Sequence, residues 1–326
     1  MTAQPRTCAA RGRGVGLWGP RAAPAGVRGE ASSRGDVLLT IAGVTVAVVA
    51  DEPGPALRVE DATKPFLVVD ATPDVTIRVG WGQLLEACDG EQVFDSGALW
   101  RLYRQRDSFL FRFSTPALGS VPYREACFDA RFTAGDVRLH RPYFETRGPL
   151  DPLEYPLAEL LFINHLHTHR LGVEIHGCGV IDRSGAGYLF AGESGAGKTT
   201  MARLWEGQTG VTVLSDDRVV LRAAGDTVWM YGTPWHGDAR LASPARVSVA
   251  GVFFLRARSE HVWRPLDRPQ AAARLFACSF PPFYSASGLD FTLAALDAVT
   301  AAVPCRELGF VPDPTVVDFV RQQAGG

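Results

Sequence analysis

The chain has 326 residues, of which 46% are hydrophobic, and a formal net charge of -2. That is enough apolar material for a sizeable core and for two domains, and it gives no global field to draw the protein to nucleic acid or an anionic membrane. The cysteines Cys8, Cys88, Cys127, Cys178, Cys278 and Cys305 form no C-x-x-C pair, which argues against a zinc site or a disulfide framework and for reduced thiols in a cytoplasmic protein; no apolar run is long enough to span a bilayer.

The first 35 residues are rich in Arg, Gly, Ala and Pro and show no apolar period. This composition fits a disordered tail, or a start codon assigned too early, better than a basic nucleic-acid arm, and it lacks the apolar core of a secretory signal. From Asp36 to about Leu150, short alternating runs predict strands: DVLLTIAGVTVAVV, VTIRVGW, FLFRFST, FDARF and DVRLHRPYF. Turn formers such as Asp51-Glu52-Pro53-Gly54 and Cys88-Asp89-Gly90 separate them. This half reads as mainly antiparallel β. The aromatics and arginines of FDSGALWRLYRQRDSFLF are better read as strand-face residues than as a partner site.

The stretch EYPLAELLFINHLHTHR predicts a helix with Pro156 in its first turn and an apolar stripe of Leu157, Leu160, Leu161 and Leu166. His165, His167 and His169 invite a metal reading. On a helix, however, His165 and His169 share a face and His167 points elsewhere, and no carboxylate stands at a zinc-protease spacing. A polar helix end is the better reading. Strands follow at GVEIHGCGVI, GYLFAG and VTVLSD, with a helix over Lys198 to Glu206 between the last two. A hairpin turns at Ala224-Gly225-Asp226, and VSVAGVFFLRAR is a further buried strand. Helices are predicted over RPQAAARLFACSF, LDFTLAALDAVTAA and PTVVDFVRQQ, with RELGFV a late strand. The fold class is α/β (α+β). A β-rich domain over 36–150 precedes an α/β domain with a mixed sheet over 151–326, and a disordered tail covers 1–35.

Residues 192–199, GESGAGKT, fit G-x-x-x-x-G-K-[ST] between a strand and a helix. Gly192, Gly195 and Gly197 permit bends that side chains would forbid. With Glu193, Ser194, Ala196 and the following Thr200, they form a cradle of N–H groups for phosphates at a helix N-terminus. In that arrangement Lys198 places its charge on the β and γ phosphates of ATP, and Thr199 offers a hydroxyl to Mg²⁺. Shortly afterwards, VLSDDRVVL carries adjacent acids, Asp216 and Asp217. Such a pair is costly without cations or donors nearby. One can hold the metal or its water, and the other can accept a proton from a hydroxyl attacking the γ-phosphate.

The segment from His176 to Leu221 resembles the catalytic domain of bacterial HPr kinase/phosphorylase, which shares its nucleotide core with phosphoenolpyruvate carboxykinases. The likeness rests on the histidine-glycine pair His176-Gly177, the glycine-rich strand hairpin, the GESGAGKT loop and the paired aspartates. The resemblance implies a P-loop kinase domain in which His176 is the active-site histidine, Lys198 the loop lysine and Thr199 the metal-binding hydroxyl residue. It makes Asp217 the proton acceptor and Asp216 its acidic, metal-facing neighbour. ATP and Mg²⁺ are the implied cofactors, and the implied substrate is a peptide or small protein phosphorylated on a hydroxyl, of which a natural-product precursor peptide is one example. No nucleic-acid or membrane partner is expected, and a homo-oligomer is compatible with the likeness, since related kinases form rings. The family's later glycine-rich signature with a metal-binding glutamate has no counterpart here. YGTPWHGDAR, with His236, Asp238 and Arg240, stands in that region. This departure argues against phosphorolysis and against HPr itself as substrate. It also keeps open two rival readings, a nucleotide-binding module without transfer activity and a carboxykinase-like enzyme acting on a small acid.

Overall fold

The computed structural model describes residues 36–151 and 153–324, so the tail expected over 1–35 lies outside the described residues. Two mixed sheets and several helices make an α/β protein.

The first sheet contains β1 (Val37–Ile41), β2 (Val44–Ala50), β3 (Val75–Gly82), β4 (Glu91–Asp95), β5 (Trp100–Arg104), β6 (Ser108–Phe113), β7 (Arg124–Asp129) and β8 (Ala134–His140). Its order is β1-β2-β3-β8-β7-β6-β5-β4. The run DVLLTIAGVTVAVV is a hairpin rather than one strand. It turns at Ala42 and Gly43, both at positive φ (51° and 74°), where glycine costs least. The half is mainly antiparallel, as expected, but β3 pairs in parallel with both β2 and β8. Alternation along a strand reports which face is buried, not the direction of its neighbour. Of FDARF only Phe128 and Asp129 are strand, the end of β7. β7 ends at Asp129, whose carboxylate accepts from the Thr133 N–H and hydroxyl, each at 2.7 Å, while Phe132 turns back into the core at φ 54°. DVRLHRPYF divides into β8 and a short helix, α1 (Arg141–Phe144).

Helix α2 (Leu157–Thr168) follows, with Pro156 at its N-cap position rather than inside its first turn. It is buried nearly all round, not striped. Leu157, Leu161, Phe162 and Leu166 pack into the core of the first sheet. The histidines correct the expected polar helix end, because His165 and His167 are buried. His165 Nδ1 bonds the Phe132 carbonyl at 2.9 Å, and His167 Nε2 meets the Thr292 hydroxyl at 2.8 Å. His169 Nε2 bonds the Arg131 carbonyl at 2.9 Å. The three rings therefore pin α2 to both halves of the protein, and the described residues contain no cluster able to hold a metal ion.

The second sheet comprises β9 (Val173–Ile181), β10 (Gly187–Ala191), β11 (Thr212–Ser215), β12 (Arg218–Ala224), β13 (Thr227–Gly232), β14 (Arg246–Ala257), β15 (Val262–Pro265) and β16 (Cys305–Phe310). Helices α3 (Lys198–Glu206), α4 (Arg268–Ala277), α5 (Ala286–Ala302) and α6 (Thr315–Ala324) cover it. The main path is β10-β9-β12-β13-β14-β16-β15. The long β14 pairs antiparallel with β13 through its first residues and parallel with β10 through its later ones. Side chains of β14 alternate between two cores. Val252 and Phe254 face α4 and α5, whereas Phe253 and Leu255 face α3 and α6, as the period of a strand buried on both faces requires. The sequence reading missed β15, an exposed edge strand ending in Pro265, where proline removes no ladder bond.

Candidate active site

Strand order gathers the site. β9 lies between β10, which leads into the glycine loop, and the edge shared by β11 and β12. On one side Gly177 pairs with Ala191, just before the loop. On the other, His176 pairs with Arg218. The Gly177 N–H donates to the Asp217 carbonyl at 2.9 Å. His176 and its neighbour thus stand between the loop and the paired acids. Cys278, at the end of α4, holds β9 further: its carbonyl accepts the His176 N–H at 2.7 Å.

The loop runs from the carboxyl end of β10 into α3, a common location for ligand sites in open α/β sheets. Gly195 and Gly197 take positive φ, 80° and 101°. A Cβ on Gly197 would approach the Phe310 ring to 2.7 Å, so both backbone angle and packing demand glycine there. Glu193, Ser194 and Gly195 are exposed, while Lys198 is buried. The Lys198 ammonium donates to the carbonyls of Gly192 (2.8 Å) and Glu193 (3.0 Å), and burial lowers its pKa. The Ala196 N–H is taken by the Glu193 carbonyl, but those of Gly195, Gly197, Lys198, Thr199 and Thr200 have no acceptor among the described residues. A row of free amides around a buried ammonium fits the phosphates of a nucleotide. Thr199 is the loop residue that would meet a metal ion carried on those phosphates.

Asp216 and Asp217 lie where the chain passes from β11 to β12, and their environments differ sharply. Asp216 is 1% exposed. Its carboxylate accepts the N–H groups of Gly237 (3.0 Å), Ala239 (2.9 Å) and Leu241 (3.2 Å). It therefore organises the 237–241 loop, in which Arg240 adopts φ 57°. Three amides thus fill most of the acceptor capacity of the Asp216 carboxylate, which the implied metal-facing role would have to share. The same loop borders a cleft of about 970 Å³ between the two halves, lined by Arg58, Lys64, His236 and Arg240 among others.

Asp217 is half-buried and held at both oxygens. His176 Nε2 lies 3.0 Å from Oδ1, and Arg218 Nη1 lies 2.8 Å from Oδ2. Burial pushes its pKa up, but the His176 hydrogen bond and the charges of Arg218, His176 and Lys198 outweigh it and hold the carboxyl below its ordinary range. Asp217 is thus ionised at neutral pH.

Three acidic and basic groups escaped the sequence reading. Arg218 Nε lies 2.6 Å from Glu159 Oε1 and 3.4 Å from Glu174 Oε1, and its guanidinium covers the Phe280 ring at 4.3 Å. Glu174 is fully buried, and neither carboxyl oxygen has a hydrogen-bond partner. The approach to Arg218 is close enough for an ion pair but is not a bond. Burial, and after it the charge of Glu159, raises its pKa well above the usual value. The available signal was a single charge inside an apolar element: Glu159 within LAELLF and Glu174 within VEI.

No family model matches the sequence, and no curated protein matches it. Among solved structures, the Hpr(Ser) kinase/phosphatase from Coxiella burnetii aligns with 47% of this chain and 99% of its own, at 12% identity and a TM-score of 0.27. The site is therefore read from its own geometry.

Proposed function

We propose that the protein is an ATP-dependent kinase acting on a hydroxyl, a serine or threonine of a peptide or small protein. One observation carries the reading: an ionised carboxylate, Asp217, paired with His176, stands across one strand from a loop of unpaired amides around a buried lysine. A nucleotide binder needs only the loop, whereas phosphoryl transfer also needs a group to position and deprotonate the acceptor.

Bound Mg²⁺-ATP supplies the phosphoryl group, and its metal offsets charge on the phosphates. The chain's own contribution begins at the loop, where the amides of Gly195 and of Gly197 to Thr200 and the Lys198 ammonium hold the phosphates. Asp217 then accepts a hydrogen bond from the acceptor hydroxyl and takes its proton as the oxygen attacks. His176 fixes the Asp217 carboxylate from Oδ1 and, when protonated, adds positive charge beside the γ-phosphate. Asp216 holds the 237–241 loop against this site, and the acceptor chain approaches along the cleft bordered by that loop.

Incubation of the protein with Mg²⁺-ATP labelled at the γ position and a degenerate serine/threonine peptide library tests the proposal. Label transferred to peptide hydroxyls is the expected result. Tight nucleotide binding with neither transfer nor hydrolysis would replace the kinase with the nucleotide-binding module, a reading that the depressed basicity of Asp217 favours.

A further inference from the structure

Helix α2 belongs by packing to the first sheet, yet it reaches the site. Leu157, Leu161 and Leu166 sit in the first core, and His165 and His169 bond carbonyls in the β7–β8 turn. From the same helix, the Glu159 carboxylate meets Arg218 Nε at 2.6 Å. The next step is equally short, Arg218 Nη1 to Asp217 Oδ2 at 2.8 Å. Arg218 is clamped on its remaining sides as well. Its ring partner is Phe280, its N–H donates to the Ser215 hydroxyl at 3.1 Å, and its carbonyl accepts the Thr233 hydroxyl at 2.7 Å.

A guanidinium presents its donors in a fixed planar fork. Held at Nε by one carboxylate and set over a ring at 4.3 Å, it has little freedom to turn its Nη1 away from the second carboxylate. We propose that Arg218 is a positioning residue for the Asp217 carboxylate and that Glu159 sets Arg218, so that helix α2, packed in the first core, fixes the geometry of phosphoryl transfer. Glu174 completes the arrangement. A fully buried carboxyl with no hydrogen-bond partner faces the guanidinium 3.4 Å away. It lies farther off than Glu159 and Asp217, which hold the two short contacts to the guanidinium at 2.6 and 2.8 Å. The chain Glu159–Arg218–Asp217–His176 thus runs unbroken from a helix of the first core to the side of the glycine loop.

The inference rests on the kinase reading, and the experiment separates the two. Full-length Arg218→Ala, Glu159→Ala, Glu159→Gln and Asp217→Asn are compared in single-turnover transfer from γ-labelled Mg²⁺-ATP to the peptide selected from the library, or to water if none is selected. Affinity is measured with Mg²⁺ and a non-hydrolysable ATP analogue. Misplacing a catalytic group by about an ångström costs on the order of a hundredfold, so Arg218→Ala is expected to transfer roughly 10- to 100-fold more slowly, with analogue affinity within about twofold of the parent. Millimolar guanidinium, but not ammonium, should restore several-fold of that loss. Glu159→Ala should slow transfer about tenfold with little change in KM, and Glu159→Gln, which keeps an acceptor for Nε, should recover most of it. Combining Glu159→Ala with Arg218→Ala should add little to the loss from Arg218→Ala alone. A parent rate in Arg218→Ala or in Glu159→Ala overturns the positioning role, as does a loss of rate that guanidinium and Glu159→Gln both leave unrepaired. If Arg218→Ala does not fold, the Glu159 pair decides alone. A parent rate in Asp217→Asn instead sinks the kinase reading itself.

Discussion

Nε2 of His176 stands 3.0 Å from Oδ1 of Asp217, and this contact is built into the sheet. The adjacent Gly177 N–H donates to the Asp217 carbonyl at 2.9 Å, and the His176 N–H is held by the Cys278 carbonyl at 2.7 Å. The backbones of both partners are therefore fixed by hydrogen bonds independent of the side chains.

The first test removes the base alone. Asp217→Asn preserves size and removes the proton-accepting charge, while the loop amides and Lys198 remain. Nucleotide affinity should survive and transfer should fall by about 10²–10⁴. Calorimetry with the non-hydrolysable analogue and single-turnover kinetics read the two quantities separately, and transfer at the parent rate would exclude Asp217 as the base.

Lys198→Ala attacks the other end of the site. The buried ammonium bonds the Gly192 and Glu193 carbonyls and is free to exchange them for phosphate oxygens. A hydrogen bond to a charged group contributes about 1.5–3 kcal/mol, so affinity for Mg²⁺-ATP should weaken roughly 10- to 100-fold. Unchanged affinity would show that phosphates bind elsewhere.

Asp216→Asn separates a loop anchor from a metal ligand. The asparagine turns an acceptor oxygen into an NH₂ group facing the amides of Gly237, Ala239 and Leu241, leaving at least one of them unsatisfied at a cost of about 1–3 kcal/mol. Hydrogen exchange across 237–241 should accelerate and urea stability should drop, with the Mg²⁺ concentration for half-maximal nucleotide binding unchanged. A raised Mg²⁺ requirement with a protected loop would restore the metal role.

Glu174 gives a pH test of stability. Burial holds its carboxyl well above the ordinary 4.5, so as pH rises past 4.5 the folded protein retains a proton that the unfolded chain releases. Its contribution is fully present below pH 4.5 and declines as pH rises toward the folded value, by up to about 1.4 kcal/mol per pH unit. Glu174→Gln cannot lose a proton. The stability of the parent relative to this variant should therefore fall from pH 5 to pH 8 in urea titrations. A constant difference would show that Glu174 is ionised in the fold.

Local pattern alone determined several parts of this protein. The alternation of GVEIHGCGVI and GYLFAG marks β9 and β10. Glycine spacing followed by a helix-forming run predicts the bend at Gly195 and Gly197 and the start of α3 at Lys198, because φ preferences and helix starts are set within a few residues. His176, Lys198 and Asp217 were nameable from their motifs, but their relation was not. It needs β9 to lie between β10 and β12, a choice of partners that no strand encodes by itself. The same holds for the parallel pairings of β3, since direction is settled by chain connections and shared burial rather than by alternation. Asp216 and Asp217 read as equivalent neighbours, and only the return of residues 237–241 onto one of them parted their roles. Glu159 and Arg218 lie 59 residues apart. Their pairing exists because α2 is buried nearly all round, and its packing against β9 brings an otherwise costly carboxylate beside the Arg218 guanidinium of the neighbouring β12.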